Sequence, residues 1–289
     1  MMQSIDNRHY HIIKPLGKGG CGETYLAKAL HLPNQPECVV KKFKPTTDDR
    51  FFLKTARLLF DTEVKVLYEL GNHDAIPQFL DHFELEEEFY LVQEYIAGHD
   101  LSTEIIWGEK MGENQALEIL QSVLEILGFV HQQGIIHRDI KPKNLIRRDR
   151  DNKIFLIDFG LVQQLNRQNR KVSVGTEGYI PIEQNDGKPR FCSDIYALGI
   201  TIITALTGIK PEELSPDSQG EIIWRYQAPQ VSDRLADIIS KMVKSYYSDR
   251  YQSATEVLTD ILSINNLNNS LTINTNNIEN NHIKLPTIS

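Results

Sequence analysis

Gly17, Gly19 and Gly22 stand in G-x-G-x-x-G spacing between two runs of strand character. With no Cβ atoms, such a backbone can bring its N–H groups close to phosphate oxygens. The plainer reading is a tight turn, and a dinucleotide-binding loop would want a helix directly behind it, whereas a β-rich stretch follows. Farther on, Cys38-Val39-Val40-Lys41 puts one ammonium at the end of an apolar strand, where burial without an anion is costly. Glu63 can supply that anion from the helical segment that follows and leave the ammonium free to donate to a nucleotide phosphate. The pair also reads as a lysine at a strand's solvent edge and a glutamate on a helix surface. Asp139 and Asp158 lie in later polar segments, with Lys141 and Asn144 close to the first; taken singly, each aspartate suits a turn or a cap.

These residues need elements to hold them. Residues 11–16, 23–29 and 38–43 read as short strands, and 81–83 with 89–94 as a hairpin around the acidic turn 84–88. From Asp48 to Leu70 apolar residues recur at three- and four-residue spacing (Phe52, Ala56, Leu59, Phe60, Val64, Leu67), which predicts a helix with Asp48 and Asp49 at its positive end. After Leu101 helical periodicity dominates. Leu117, Leu120, Leu124, Leu127, Val130 and His131 mark one helix, closed by Gly134. Ser253 and Glu256 form a capping-box signature for a last one.

The run His137-Arg138-Asp139-Ile140-Lys141-Pro142-Lys143-Asn144, followed by Leu156-Ile157-Asp158-Phe159-Gly160, binds these observations together. Here the sequence resembles the eukaryotic-like protein kinases, whose catalytic loop is H-R-D-x-K-x-x-N and whose metal-binding motif is D-F-G. The resemblance covers about residues 10–262. It continues in order through Gly175-Thr176-Glu177-Gly178-Tyr179-Ile180-Pro181-Ile182-Glu183, then Asp194-Ile195-Tyr196-Ala197-Leu198-Gly199, then Arg250. It implies an α+β, bilobal protein-kinase fold, with a small β-rich N-lobe carrying one main helix and a larger α-helical C-lobe. The glycine loop and the compact end around Arg250-Tyr251-Gln252-Ser253-Ala254 suggest the bacterial type.

Phosphoryl transfer depends on positioning and on neutralising charge on the equatorial oxygens. By resemblance, Asp139 orients the acceptor hydroxyl and takes its proton, Lys141 steadies the γ-phosphate, and Lys41 paired to Glu63 fixes the α- and β-phosphates of ATP. Asn144 and Asp158 would hold magnesium, or manganese, since oxygen donors suit a hard cation. The loop of Leu16, Gly17, Lys18, Gly19, Gly20, Cys21 and Gly22 would cover the phosphates, with Cys21 at its tip. Gln93-Glu94-Tyr95-Ile96-Ala97-Gly98 resembles the hinge, where the Glu94 carbonyl and the Ile96 backbone meet the adenine edge and Asp100 reaches the ribose. Thr24 and Val39 stand where the family usually has Val and Ala, which implies a tighter pocket, while Ile146 is as expected beneath the base.

Lys141 and Thr176 resemble the serine/threonine members, in which the threonine hydroxyl bridges the catalytic Asp and Lys. Arg250 is expected to pair with Glu183, and Asp194 to hold the catalytic-loop backbone. Arg138 resembles kinases switched on by phosphorylation of the segment that here carries Arg167, Arg170, Lys171 and Ser173. Ser173 is a candidate acceptor, although the family's usual register falls nearer Val172.

Composition agrees. With 289 residues, 40% hydrophobic and 24% charged, the chain can bury a full core, and its net charge of -8 argues against general affinity for nucleic acid. Cys21, Cys38 and Cys192 fit neither a metal pair nor a disulfide framework, and no apolar run is long enough to span a membrane. A cytoplasmic location is expected. The organisation reads as an extension over 1–9, a catalytic domain over 10–262 (N-lobe about 10–95, C-lobe about 100–262) and an Asn-rich tail over 263–289 expected to be disordered. The expected activity is ATP-dependent phosphorylation of Ser/Thr in protein substrates; the alternative is a pseudokinase-type nucleotide-binding scaffold. The sequence carries no signature of oligomeric state.

Overall fold

The alternating segments of the first hundred residues form an antiparallel sheet in the order β1-β2-β3-β4-β6-β5. These strands are β1 (Ser4–Ile5), β2 (Tyr10–Gly19), β3 (Gly22–Ala29), β4 (Glu37–Phe43), β5 (Phe79–Leu85) and β6 (Glu88–Glu94). The computed structural model describes residues 4–5, 9–19, 22–43, 50–71, 73–85, 88–164 and 175–264. The strands run longer than their apolar cores because ladder pairing continues into polar residues. Part of the expected N-terminal extension joins the sheet, with Ser4 opposite His11 and Ile5 opposite Tyr10.

Alternation sorts the sheet into two faces. Tyr10, Ala27, Cys38, Val40, Tyr90 and Val92 form an outer cluster. Phe43 and Leu91 face the other way, toward α1 (Arg50–Leu70) and the main core. On α1, Phe60 lies between Phe43 and Phe89, with ring centroids 5.6 and 5.3 Å away. Arg57 adds a guanidinium 5.0 Å over Phe89 and an ion pair to Glu84 at 2.7 Å. Of the expected apolar stripe, Phe60 and Leu67 are buried and Val64 is half-buried. Asp48 and Asp49 lie outside the described residues.

Beyond the sheet come β7 (Gly98–Asp100), α2 (Glu113–Gln132), β8 (Ile135–Ile136), β9 (Leu145–Arg148), β10 (Ile154–Leu156), β11 (Gln163–Gln164), α3 (Ile182–Asn185), α4 (Phe191–Thr207) and α5 (Asp233–Met242). Residues 254–264 form a last helix, α6. Strands β10-β9-β7 make one small sheet and β11-β8 another. These short pairings carry the loops that concern function, while α2, α4 and α5 supply the packed mass. Ser253 caps α6 as expected, accepting the Glu256 N–H at 3.2 Å, but Glu256 reaches back to the Gln252 N–H at 3.0 Å and not to that of Ser253. The helix runs to residue 264, with Ile264 buried, slightly beyond the expected domain end. The remaining Asn-rich residues lie outside the described ones.

One ion pair is buried within this mass. Arg250 meets Glu183 at 2.7 and 3.3 Å, both side chains being almost fully enclosed. Glu183 also accepts from Ser193 Oγ at 2.7 Å, and Arg250 donates to the carbonyls of Lys244 and Ser245 at 2.6 and 2.9 Å. The pair ties α3 to the start of α4 and to the chain before α6. Removing one partner strands a buried charge, so Arg250→Met is expected to cost about 3–5 kcal/mol in urea unfolding. A loss of less than about 1 kcal/mol, the size of a surface pair, would show that this pair is not a structural tie.

Candidate active site

Lys41 lies near the end of β4, paired in register with Thr24 of β3 and Leu91 of β6. Its ammonium sits 2.5 Å from Glu63 Oε1 on α1 and 3.0 Å from Asp158 Oδ1 in the turn after β10. Glu63 is 1% exposed. Burial opposes the charge on Lys41, but Asp158 and Glu63 outweigh it and hold the ammonium's pKa above its ordinary value. In return Lys41 holds the Asp158 carboxyl down at about 2. Gly160 leaves room for the Glu63 carboxylate, since a Cβ there would stand 3.1 Å from Oε2.

The second cluster is built on the loop after β8. Asp139 Oδ2 receives Lys141 Nζ at 2.6 Å and Asn144 Nδ2 at 2.9 Å, and Thr176 donates to Oδ1 at 2.7 Å. Lys141 also donates to Thr176 Oγ1 at 2.6 Å, so one hydroxyl bridges the carboxylate and the ammonium, as the resemblance implied. Asp194, wholly buried in the first turn of α4, accepts the backbone N–H groups of His137 and Arg138, both at 2.8 Å. Arg138 (φ 72°) and Asp158 (φ 68°) adopt left-handed backbone, rare for residues with a Cβ. Such strain persists only where the surroundings over-determine it. Asp194 does so for Arg138; at Asp158 the bond from Lys41 and the buried Phe159 do.

The expected nucleotide side is partly described. Gly19 pairs with Gly22 at the end of the β2–β3 ladder, while Gly20 and Cys21 lie outside the described residues. At Gly22, φ is 154° and a Cβ would stand 1.9 Å from the Lys42 carbonyl oxygen, so glycine alone fits. Leu16 and Lys18 are exposed, Val39 and Ile96 are buried, and Thr24 and Ile146 are intermediate. Asp100 has a structural task that the sequence did not reveal: its carboxylate caps the short turn of residues 101–103 through the N–H of Ser102 at 2.9 Å and accepts the Ser102 hydroxyl. Ser173 and its basic neighbours fall outside the described residues. Cys38 and Cys192 are buried free thiols, and burial raises the Cys38 pKa to about 11. Neither is a nucleophile for this site.

The roles of other residues here escaped the sequence reading. His137 donates from Nε2 to the Ile157 carbonyl at 3.1 Å and accepts the Asp139 N–H on Nδ1 at 3.3 Å, an arrangement that requires neutral imidazole. Burial lowers its pKa to match. It stands edge-on to Phe159 at 4.9 Å and so links the turns of Asp139 and Asp158. His131 places Nε2 2.9 Å from Asp194; a histidine on the apolar face of α2 was the available signal. Gln184 donates to the Arg138 carbonyl at 2.7 Å, and nothing in the sequence pointed to it.

Comparison with known proteins agrees with this geometry. Residues 10–262 match the family model described as Protein kinase domain. The chain is 43% identical over 259 residues to serine/threonine-protein kinase C of Synechocystis sp., covering 86% of this chain and 48% of that protein. It is 39% identical over 268 residues to serine/threonine-protein kinase PknA of Nostoc sp., covering 89% and 47%. The chain thus spans about half the length of the curated relatives it matches. A crystal structure of the Mycobacterium tuberculosis PknI kinase domain superposes with a TM-score of 0.68 at 23% identity, covering 91% of this chain and 99% of that one, which supports the bilobal fold. With the family model spanning both clusters and the elements that hold them, the chain belongs to the protein kinase domain family.

Proposed function

We propose that this domain binds ATP with a divalent cation, magnesium or manganese, and transfers the γ-phosphoryl group to serine or threonine hydroxyls of proteins. The observation that carries the reading is the Thr176 hydroxyl bridging Asp139 and Lys141. It closes a small polar seat beside the carboxylate, suited to a short aliphatic hydroxyl. In the transfer, the acceptor oxygen bonds to the γ-phosphorus, its proton passes to Asp139, and the bond to the bridging oxygen breaks to leave ADP. Lys141 steadies the moving group, and Lys41, fixed by Glu63, donates to the α- and β-phosphates.

The residues fit the cation. Asn144 spends its amide N–H on the backbone and side-chain oxygens of Asp139 at 2.8 and 2.9 Å, so its carbonyl oxygen remains an acceptor. Asp158 is ionised throughout the neutral range, and only its Oδ1 is given to Lys41. Amide and carboxylate oxygens are the donors such an ion takes. Bound there, it neutralises phosphate charge. Glu94, Ile96, Val39, Thr24 and Ile146 form the adenine side of this reading, and Leu16 to Gly22 the phosphate cover. Among the described residues no helix is long and apolar enough to cross a membrane. With free buried thiols, this suits a cytoplasmic kinase.

Lys41→Ala and Asp158→Ala are each expected to lower turnover at least about a hundredfold, the scale of removing a charge-stabilising group. Thermal unfolding measured alongside should show both variants folded. Either variant turning over at near wild-type rate would remove that residue from the reaction.

Labelled ATP, magnesium and a generic basic protein test the acceptor assignment. Phosphoserine and phosphothreonine are the expected products by mass spectrometry, and predominant phosphotyrosine would overturn it. No transfer at all would favour the scaffold reading.

A further inference from the structure

We propose that the cleft beside the Asp139–Thr176 bridge selects acceptor segments carrying a bulky apolar side chain and a basic residue close to the phosphorylated serine or threonine. The proposal rests on the kinase reading above and names the substrate class for the same site. The cleft has a volume of about 700 Å³ and opens directly from Lys141 and Thr176. An extended chain rises about 3.3 Å per residue, so a space of this size accepts the side chains of two or three flanking positions.

Its wall is apolar where the chain could have been polar. Ile106 and Trp107 are neighbours in sequence, both line the cleft, and they are 44% and 61% exposed. Contiguous exposed apolar surface beside a catalytic group marks a place where something apolar docks. The ledge is also held in position. The Lys210 ammonium lies 4.9 Å over the Trp107 ring, and the Gly108 N–H donates to the Gly208 carbonyl at 2.8 Å, which fixes this loop against the end of α4.

Charge identifies the rest of the occupant. Glu177 and Glu212 line the cleft, both exposed, with no ion pair among the described residues. Lys141 is engaged by Asp139 and Thr176, and Lys210, over Trp107, pairs with Glu213 at 3.6 Å, which leaves Lys143 as the opposing cation of the lining. Acidic groups therefore outnumber the available cation, in a chain whose net charge is -8. A basic, apolar segment complements this surface. A second copy of the acidic chain does not.

A positional library of serine peptides, phosphorylated by the purified protein, tests the idea. Enrichment of Leu, Ile, Phe or Met at a flanking position, with Lys or Arg favoured over Asp or Glu, is expected. On the preferred peptide Trp107→Ala should lower kcat/KM about tenfold, mainly through KM, as losing one buried apolar contact would. Nucleotide affinity and thermal unfolding should not change. Ile106→Ser should act in the same direction, and the double change Glu177→Lys, Glu212→Lys should reverse the charge preference. A library phosphorylated without apolar selection, or an apolar preference that survives both Trp107→Ala and Ile106→Ser, would overturn this inference and leave the kinase reading intact. Failure to phosphorylate any peptide would overturn both.

Discussion

A single ammonium at the end of a strand cannot be buried without anions, and most of this site follows from how that constraint is met. Lys41 takes one carboxylate from a residue 22 positions away and another from one 117 positions away. The first comes from α1 and the second from the turn after β10, so satisfying one charge fixes a strand, a helix and a loop relative to one another. The aromatic contact of Phe60 with Phe43 and Phe89 holds α1 against the sheet, and Gly160 leaves room for Glu63 to reach inward. Packing brings the groups near; the buried charge demands that they meet.

The C-terminal cluster uses the inverse device. There a buried anion, Asp194, is satisfied by backbone N–H groups of the loop it organises and by His131. Low local polarity strengthens each of these bonds and makes any missing one expensive, which lets the loop sustain left-handed backbone at Arg138. Neutral His137 then joins that loop to the turn of Asp158, with no net charge added between two carboxylates.

The sequence displayed the chemistry more fully than the scaffolding. Lys41, Asp139, Lys141, Asn144, Asp158 and Thr176 stood in ordered motifs, and the structure brings them into the two clusters described. The larger strands and α1 were visible because alternation and three-to-four spacing extend over enough residues to register. Two-residue strands such as β1, β8 and β11 have no period to detect, and they form because tertiary contacts present a partner edge. The left-handed residues Arg138 and Asp158 were invisible for a related reason: their backbone is imposed by distant groups and contradicts local preference. The same holds for Gln184, whose partner is decided only when the chain is folded, whereas the cap made by Asp100 is local, to Ser102 two residues along.

The hydrogen bonds around Asp139 have a further consequence when its lone pairs are counted. An ionised carboxylate offers about four acceptor sites. Among the described residues, Lys141 and Asn144 occupy both on Oδ2, and Thr176 occupies one on Oδ1. One vacancy therefore remains, on the same oxygen that already accepts a hydroxyl. A second hydroxyl arriving there meets a carboxylate whose orientation is clamped from three sides, and it has a single direction along which its proton can be received.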